Sequence, residues 1–169
     1  METQGPGLIL ATTTALPQAL ILFCEQLINF PPQRRQILLA VSDRWVPDSR
    51  VDAIANFAQR LGRPILAVNV AYGSENSAAE VSPGERVLEN VAKHLRAGNA
   101  QVETLLLFSD DLGQALLNTA EEHHASLILL GLSSKGMLAR LIEGNVAQEI
   151  VRSTTIPVLL LPPDWSSPL

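Results

Sequence analysis

The part of this sequence richest in groups that can hold an anion lies between residues 131 and 146. It reads GLSSKGMLARLIEGNV and separates an apolar run from a predicted helix that begins at Asn145. Backbone N–H groups and the dipole at a helix start favour an anionic ligand, and basic side chains would add positive charge. The glycines could instead serve only tight turns and Asn145 only the helix cap, so both interpretations stay open. The candidate ligand-binding positions in this segment are Gly131, Ser133, Ser134, Lys135, Arg140, Gly144, Asn145 and Val146.

Other residues with catalytic or metal-binding chemistry form no recognisable set. The chain lacks G-x-x-x-x-G-K-[ST] and G-x-G-x-x-G, and GLSSKG has Lys135 where a nucleophile elbow needs glycine. His123 and His124 are adjacent, so on a helix they point about 100° apart and cannot ligate one metal from a single face. We therefore expect no catalytic residues, no metal site and no enzyme activity, with these two histidines on the surface near a helix end.

Composition narrows the class of protein. The 169 residues carry a net charge of −5, and 47% of them are hydrophobic while 17% are charged. These values exclude a disordered chain, and the negative charge argues against nucleic acid as a partner. A single cysteine, Cys24, excludes an internal disulfide framework and suits a reducing compartment. We expect a cytoplasmic protein with one main domain.

The N-terminal part, residues 1–33, has few charges. Only Glu2 and Glu25 precede Arg34, and residues 8–30 are mostly apolar. As a helix, this stretch would just span a lipid bilayer, and the basic residues that follow it would lie on the cytoplasmic face. We therefore predict an apolar N-terminal extension that contacts a partner, a membrane protein or a membrane through residues 8–30.

A second interpretation of the N-terminal part does not involve a membrane. Pro17 and the threonines at 12–14 interrupt the apolar stretch, which argues against a spanning helix. Residues 7–11 would then form a short strand or an extended arm. An apolar helix starting near residue 15 would follow and pack on the core or on a partner.

From Gln36 onward, short apolar runs alternate with amphipathic stretches. Such runs are typical of strands buried on both faces, and the alternation implies a parallel sheet covered by helices on both faces. We predict an open, doubly wound α/β domain over residues 34–163, preceded by the extra apolar helix and followed by a tail at 164–169. Its five parallel strands would have the order 3-2-1-4-5. The predicted strands are residues 36–41, 64–70, 102–108, 126–130 and 157–161, and the predicted helices begin near Ser49, Ser82, Asp110 and Asn145.

Several stretches resemble the universal stress protein family. They are QILLAVS (36–42), PILAVNV (64–70), LILLG (127–131) and TTIPVLLLP (154–162), and the resemblance runs from about residue 36 to residue 163. It implies the open α/β fold and a homodimer paired through the last strand. In this chain, the pairing residues would be Val158, Leu159 and Leu160.

ATP-binding members of that family carry G-x2-G-x9-G-[ST], which holds the phosphates, and an Asp after the first strand, which contacts the adenosine. Gly131 and Gly144 match the first and last glycines, whereas Ser134 and Asn145 replace the second glycine and the Ser/Thr. The position of the Asp holds Ser42, with Asp43 one residue later. These departures predict weak or lost binding of ATP or AMP. Ligands of doubly wound folds bind outside the carboxyl ends of the strands, which makes Val41 and Val70 candidate nucleotide contacts, and the resemblance adds Ser42 and Asp43.

Three functions are compatible with these residues. The first is a non-catalytic regulatory module of the stress response or of signalling, with weak or lost nucleotide binding. The second is a cytosolic regulatory domain that associates with a membrane transporter or channel through the apolar N-terminus. The third is a functional ATP-binding stress protein. The resemblance also disfavours ATP hydrolysis, because relatives in the wider nucleotide-binding superfamily that hydrolyse ATP use a Ser/Gly-rich loop after the first strand. The corresponding loop here, SDRWVPDS (42–49), contains no glycine.

Overall fold

The computed structural model describes residues 8–10, 35–43, 47–72, 82–130, 150 and 152–161. These residues form one sheet in which every pair of neighbouring strands is parallel. The strands are β1 (Leu8–Leu10), β2 (Gln36–Ala40), β3 (Ile65–Ala71), β4 (Val102–Phe108), β5 (Ala125–Leu130) and β6 (Val158–Leu160). The helices are α1 (Asp48–Leu61), α2 (Pro83–Ala97) and α3 (Leu112–Glu122).

The order of the strands is β1-β6-β5-β2-β3-β4. The five predicted strands correspond to β2 through β6, and their spatial order is the predicted 3-2-1-4-5, so the α/β fold class is confirmed. The three central strands consist of apolar runs that are buried almost throughout, as expected when helices cover both faces of a parallel sheet.

Two apolar clusters cover the two faces of the sheet. Side chains of α1 and α2, such as Phe57 and Leu95, pack with Ile37 and Leu39 of β2 on one face. Leu116 of α3 packs with Leu38 of the same strand on the other face. Because consecutive residues of a strand point to opposite faces, β2 contributes alternately to both clusters.

The helix ends follow from local sequence signals. Ser82 caps α2, since its Oγ accepts from the Glu85 N–H at 3.1 Å, and Pro83 occupies the first turn. Asp111 caps α3 in the same way through the Gln114 N–H. Helix α1 begins after Pro47 without a side-chain cap, one residue earlier than the predicted start. The predicted helix at Asn145 lies mainly outside the described residues.

The N-terminal strand β1 joins the same sheet. Leu8–Leu10 pairs in parallel with Val158–Leu160, so the short strand predicted as one alternative for residues 7–11 is present. The prediction of a helix that runs continuously through residues 8–30 is therefore wrong for residues 8–10. Residues 11–30, where the apolar helix is predicted, lie outside the described residues. None of the helices that the structure describes has the length and apolar character needed to cross a membrane.

Strand β6 is not an edge of the sheet, which corrects the prediction that Val158, Leu159 and Leu160 form an edge open to a second chain. One side of β6 pairs with β5 and the other with β1. The sequence pattern does not indicate this pairing, because the strand that pairs with β6 is β1, a three-residue apolar strand far from β6 in the sequence. The edges of the described sheet are β1 and β4.

Candidate functional site

The described part of the predicted site lies at the carboxyl ends of β2 and β3. The ladder between them pairs Ala40 with Val68, and the Val41 N–H donates to the Val68 carbonyl at 2.8 Å. Residues 41–43 therefore leave the sheet at its carboxyl edge, beside residues 69–70, which are still part of β3 and pair with β4. This is the edge where parallel α/β folds bind ligands.

Asp43, not Ser42, presents its side chain to solvent at this edge. Ser42 is buried, with 9% of its surface exposed, whereas Asp43 is exposed. Asp43 therefore supplies a carboxylate, an acceptor of hydrogen bonds, although it stands one residue later than the position that the resemblance assigns to the acid.

A buried asparagine of β3 holds the Asp43 side chain. The Nδ2 group of Asn69 donates to Asp43 Oδ1 at 3.0 Å and to the Val41 carbonyl at 2.9 Å. Asn69 is 0% exposed, and no residue in the described part of the chain bonds its Oδ1. Burying an unpaired polar atom costs about 1–3 kcal/mol, so this arrangement is expensive for the fold.

The first turn of α2 closes over this pair of side chains. A Cβ built on Gly84 would come within 2.6 Å of Asp43 Oδ1, and closer still to Asn69 Oδ1. Only a residue without a side chain allows the helix to approach so closely. The helix N-terminus carries partial positive charge, which favours the Asp43 carboxylate beside it.

The two valines predicted as nucleotide contacts point to opposite faces of the sheet. The Val41 side chain belongs to the cluster under α1 and α2, and Val70 packs against the cluster under α3. Val41 is fully buried and contributes its carbonyl oxygen to the Asn69 bond. The structure thus brings these residues to one edge without placing both side chains on one surface.

The predicted phosphate-binding segment begins at the same edge. Strand β5 lies next to β2, with Leu129 beside Leu39, so the chain leaves β5 at Leu130 near Val41. The eight candidate positions from Gly131 to Val146 lie outside the described residues.

Sequence reasoning missed two residues of this site, although each left a signal. Asn69 is the one polar residue in the strand ILAVNVA, and a polar side chain in a strand buried on both faces needs a reason. Gly84 stands in the first turn of a helix, where most other residues are better helix formers. The bond from Asn69 to Asp43 depends on the pairing register of β2 and β3, and the contact of Gly84 with these residues depends on the position of α2.

A surface cavity at the opposite end of the sheet is less suited to a nucleotide. Its lining includes Gly62, Arg63, Asn99 and Gln101, which lie where α1 and α2 end. Helix C-termini present carbonyl oxygens and partial negative charge, which offsets part of the attraction that Arg63 would have for an anion. In the part of the chain that the structure describes, no three His, Cys, Asp or Glu side chains come together to hold a metal ion.

The strand order, the helices on both faces and the polar cluster at the carboxyl edge define an open, doubly wound α/β protein. The chain belongs to the universal stress protein family, whose model matches residues 33–162. Among curated proteins, none matches the sequence significantly.

Solved structures of the family share this fold. A universal stress protein from Archaeoglobus fulgidus is 24% identical, covers 75% of this chain and 92% of its own, and has a TM-score of 0.59. The universal stress protein from the same organism in complex with dAMP is 21% identical, with coverages of 76% and 98% and a TM-score of 0.57. A universal stress protein in complex with cAMP is 16% identical, with coverages of 78% and 99% and a TM-score of 0.59.

Proposed function

We propose that this chain is a non-catalytic regulatory module of the universal stress protein family that binds adenine nucleotides weakly. In this proposal, the nucleoside end of the ligand provides most of the affinity. The observation that carries it is the exposed Asp43 carboxylate, held at the carboxyl edge of β2 and β3 by Asn69.

The fold and its relatives support a nucleotide as the ligand. The relatives crystallised with dAMP and with cAMP have the fold described above, and both ligands are adenine nucleotides. A carboxylate at this edge can accept hydrogen bonds from the hydroxyl or amino groups of a nucleoside. Such charge-assisted bonds contribute about 1.5–3 kcal/mol each, or roughly ten- to a hundredfold in affinity.

The phosphate end of the ligand has weaker support. Ser134 adds a Cβ where the family motif has glycine, and Asn145 replaces the hydroxyl residue. Glu143, next to Gly144, adds negative charge near the place expected for a triphosphate. We therefore expect additional phosphates to add little to the binding free energy.

Calorimetric titration with adenosine, AMP, ADP and ATP tests this proposal. We expect weak binding of all four, with affinities within about tenfold of one another, because the shared nucleoside makes the main contacts. Asp43→Asn keeps the shape of the side chain but removes its charge. It should lower each affinity roughly tenfold or more.

Two further variants make the titration decisive. Asp110→Asn removes the same charge from an exposed residue after β4 and should leave all four affinities unchanged. Gly144→Val should have little effect if phosphates contribute little. Tight ATP binding that Gly144→Val abolishes would contradict the proposal, and so would a wild-type chain that binds none of the four ligands.

A homodimer is also part of the proposal, but its interface differs from the predicted one. Since β6 is paired on both sides, a sheet shared by two copies would have to form through β1 or β4. Strand β4 is the longer of the two, and several of its side chains are exposed or half-buried. Light scattering should give twice the mass of one chain, and the mass of a single chain would reject the dimer.

A further inference from the structure

Asn69 is the feature of the site that the fold itself does not require. Its neighbours in β3, Val68 and Val70, are apolar, and its side chain is completely buried beneath α2. An apolar side chain at this position would extend the cluster formed by α1, α2 and the sheet. The asparagine instead buries an amide whose oxygen has no hydrogen-bond partner among the described residues.

The orientation of the Asn69 amide is fixed by its neighbours. Two acceptors, the Val41 carbonyl and Asp43 Oδ1, lie within 3.0 Å of its Nδ2. Rotating the amide by half a turn would place its oxygen against both of these oxygens. The amide therefore donates toward β2 and points its oxygen toward the first turn of α2.

Gly84 completes the arrangement from the other side. Its missing side chain lets α2 lie directly against Asn69 Oδ1 and Asp43 Oδ1. Asp43 Oδ1 thus lies between Asn69 Nδ2 and the first turn of α2. We call these three residues, Asp43, Asn69 and Gly84, the carboxylate clamp.

We propose that Asn69 is a positioning residue, which reaches from β3 to hold the Asp43 carboxylate where it accepts a hydroxyl or amino hydrogen of a nucleoside. In this chain Ser42 occupies the family's acid position, and Asp43 stands one residue later. The clamp compensates for this shift by holding the Asp43 carboxylate in place. This inference rests on the proposed function, because it assigns Asn69 a role in the same binding site.

A double-mutant cycle on adenosine affinity tests the clamp. The variants are Asn69→Ala, Asp43→Ala and the double substitution, each titrated by calorimetry. We expect each single substitution to weaken binding roughly five- to thirtyfold. The double variant should bind no more weakly than Asp43→Ala alone, because Asn69 acts only through Asp43. Titration with inosine, which lacks the amino group of adenosine, distinguishes an amino donor from a hydroxyl donor.

Ser126→Ala is the matched control. Ser126 is buried, and its Oγ donates to the Gln36 carbonyl at the amino end of β2, much as Asn69 donates to the Val41 carbonyl at the carboxyl end. This variant also loses a buried hydrogen bond to β2 but should keep the wild-type affinity for adenosine.

A measurement without substitution at residue 69 covers the case in which Asn69→Ala does not fold. The side-chain NH2 signals of Asn69 should be protected from solvent exchange in the wild type and should shift in Asp43→Ala. Additive losses in the cycle, or signals that Asp43→Ala leaves unchanged, would overturn the clamp and leave the proposed function standing. A wild-type chain that binds no adenosine would overturn the proposed function, and the clamp with it.

Discussion

The two ends of the parallel sheet differ in the structures that lie beyond the ends of the strands. At the amino end, each described helix passes into the next strand through a turn with a positive φ, at Gly62 (62°), Asn99 (62°) and His124 (52°). At the carboxyl end, no residue within the described ranges has a positive φ. There, the side chains of Asp43 and Asn69 gather against the first turn of α2.

Under the proposed function, this difference separates residues that serve the fold alone from residues that would also serve a ligand. At the amino end, backbone conformation shapes the turns, as when the Gly62 N–H donates to carbonyl oxygens at the end of α1, and the buried Ser126 side chain bonds the Gln36 carbonyl. Among the described residues, each end has a buried side-chain oxygen without a partner, Gln36 Oε1 at the amino end and Asn69 Oδ1 at the carboxyl end, but Asn69 also holds an exposed carboxylate. Substitutions at the amino end should therefore change stability alone, and those at the carboxyl end should also change ligand binding.

Gly84→Ala, at the carboxyl end, is expected to have the largest effect on stability and on adenosine binding. The added methyl group would collide with Asn69 and Asp43, and overpacking of this kind costs about 1–3 kcal/mol. The better helix propensity of alanine offsets up to about 1 kcal/mol of that loss. Urea unfolding should show lower stability, and calorimetry should show weaker adenosine binding, because α2 or the carboxylate has to move.

Gly62→Ala provides the control at the opposite end. A Cβ on Gly62 has no atom within 4 Å, but its φ of 62° is unfavourable for alanine by about 1–2 kcal/mol. Stability should fall while adenosine affinity stays at the wild-type value. If Gly62→Ala weakened binding and Gly84→Ala did not, the functional end of the sheet would be the amino end.

The fold was predictable because its signals are local. Apolar runs such as QILLA and ASLILL mark strands buried on both faces, and alternation with helices leaves few topologies. Strand β1 was one of two alternatives, since three apolar residues in an apolar stretch do not distinguish a strand from a helix. The edge position of β6 could not be judged without knowing where β1 pairs.

The site was predictable only in part, because its contacts depend on register. The resemblance indicated Asp43 as an acid displaced by one residue, and the fold class indicated the carboxyl edge of the sheet. The bond from Asn69 to Asp43 joins residues that lie 26 positions apart in the chain, and the contact of Gly84 requires the position of α2 as well. No local sequence pattern shows that these residues are in contact.

A smaller effect, of opposite sign, is expected from His124→Gly at the amino end. His124 is exposed and has a φ of 52°, a conformation that costs a residue with a side chain about 1–2 kcal/mol. Glycine removes that cost, but its greater freedom in the unfolded chain offsets up to about 1 kcal/mol. The free energy of unfolding in urea should therefore rise by up to about 1 kcal/mol, with adenosine affinity unchanged.

Asn99→Gly is the comparison for this expected increase in the free energy of unfolding. The short polar side chain of asparagine can hydrogen-bond locally in the left-handed region, so the same substitution at Asn99 should increase stability less than it does at His124. Equal gains at the two positions would mean that φ alone does not determine stability there. A change in adenosine affinity in either variant would show that the amino-end turns take part in binding, which would remove the distinction between the two ends of the sheet.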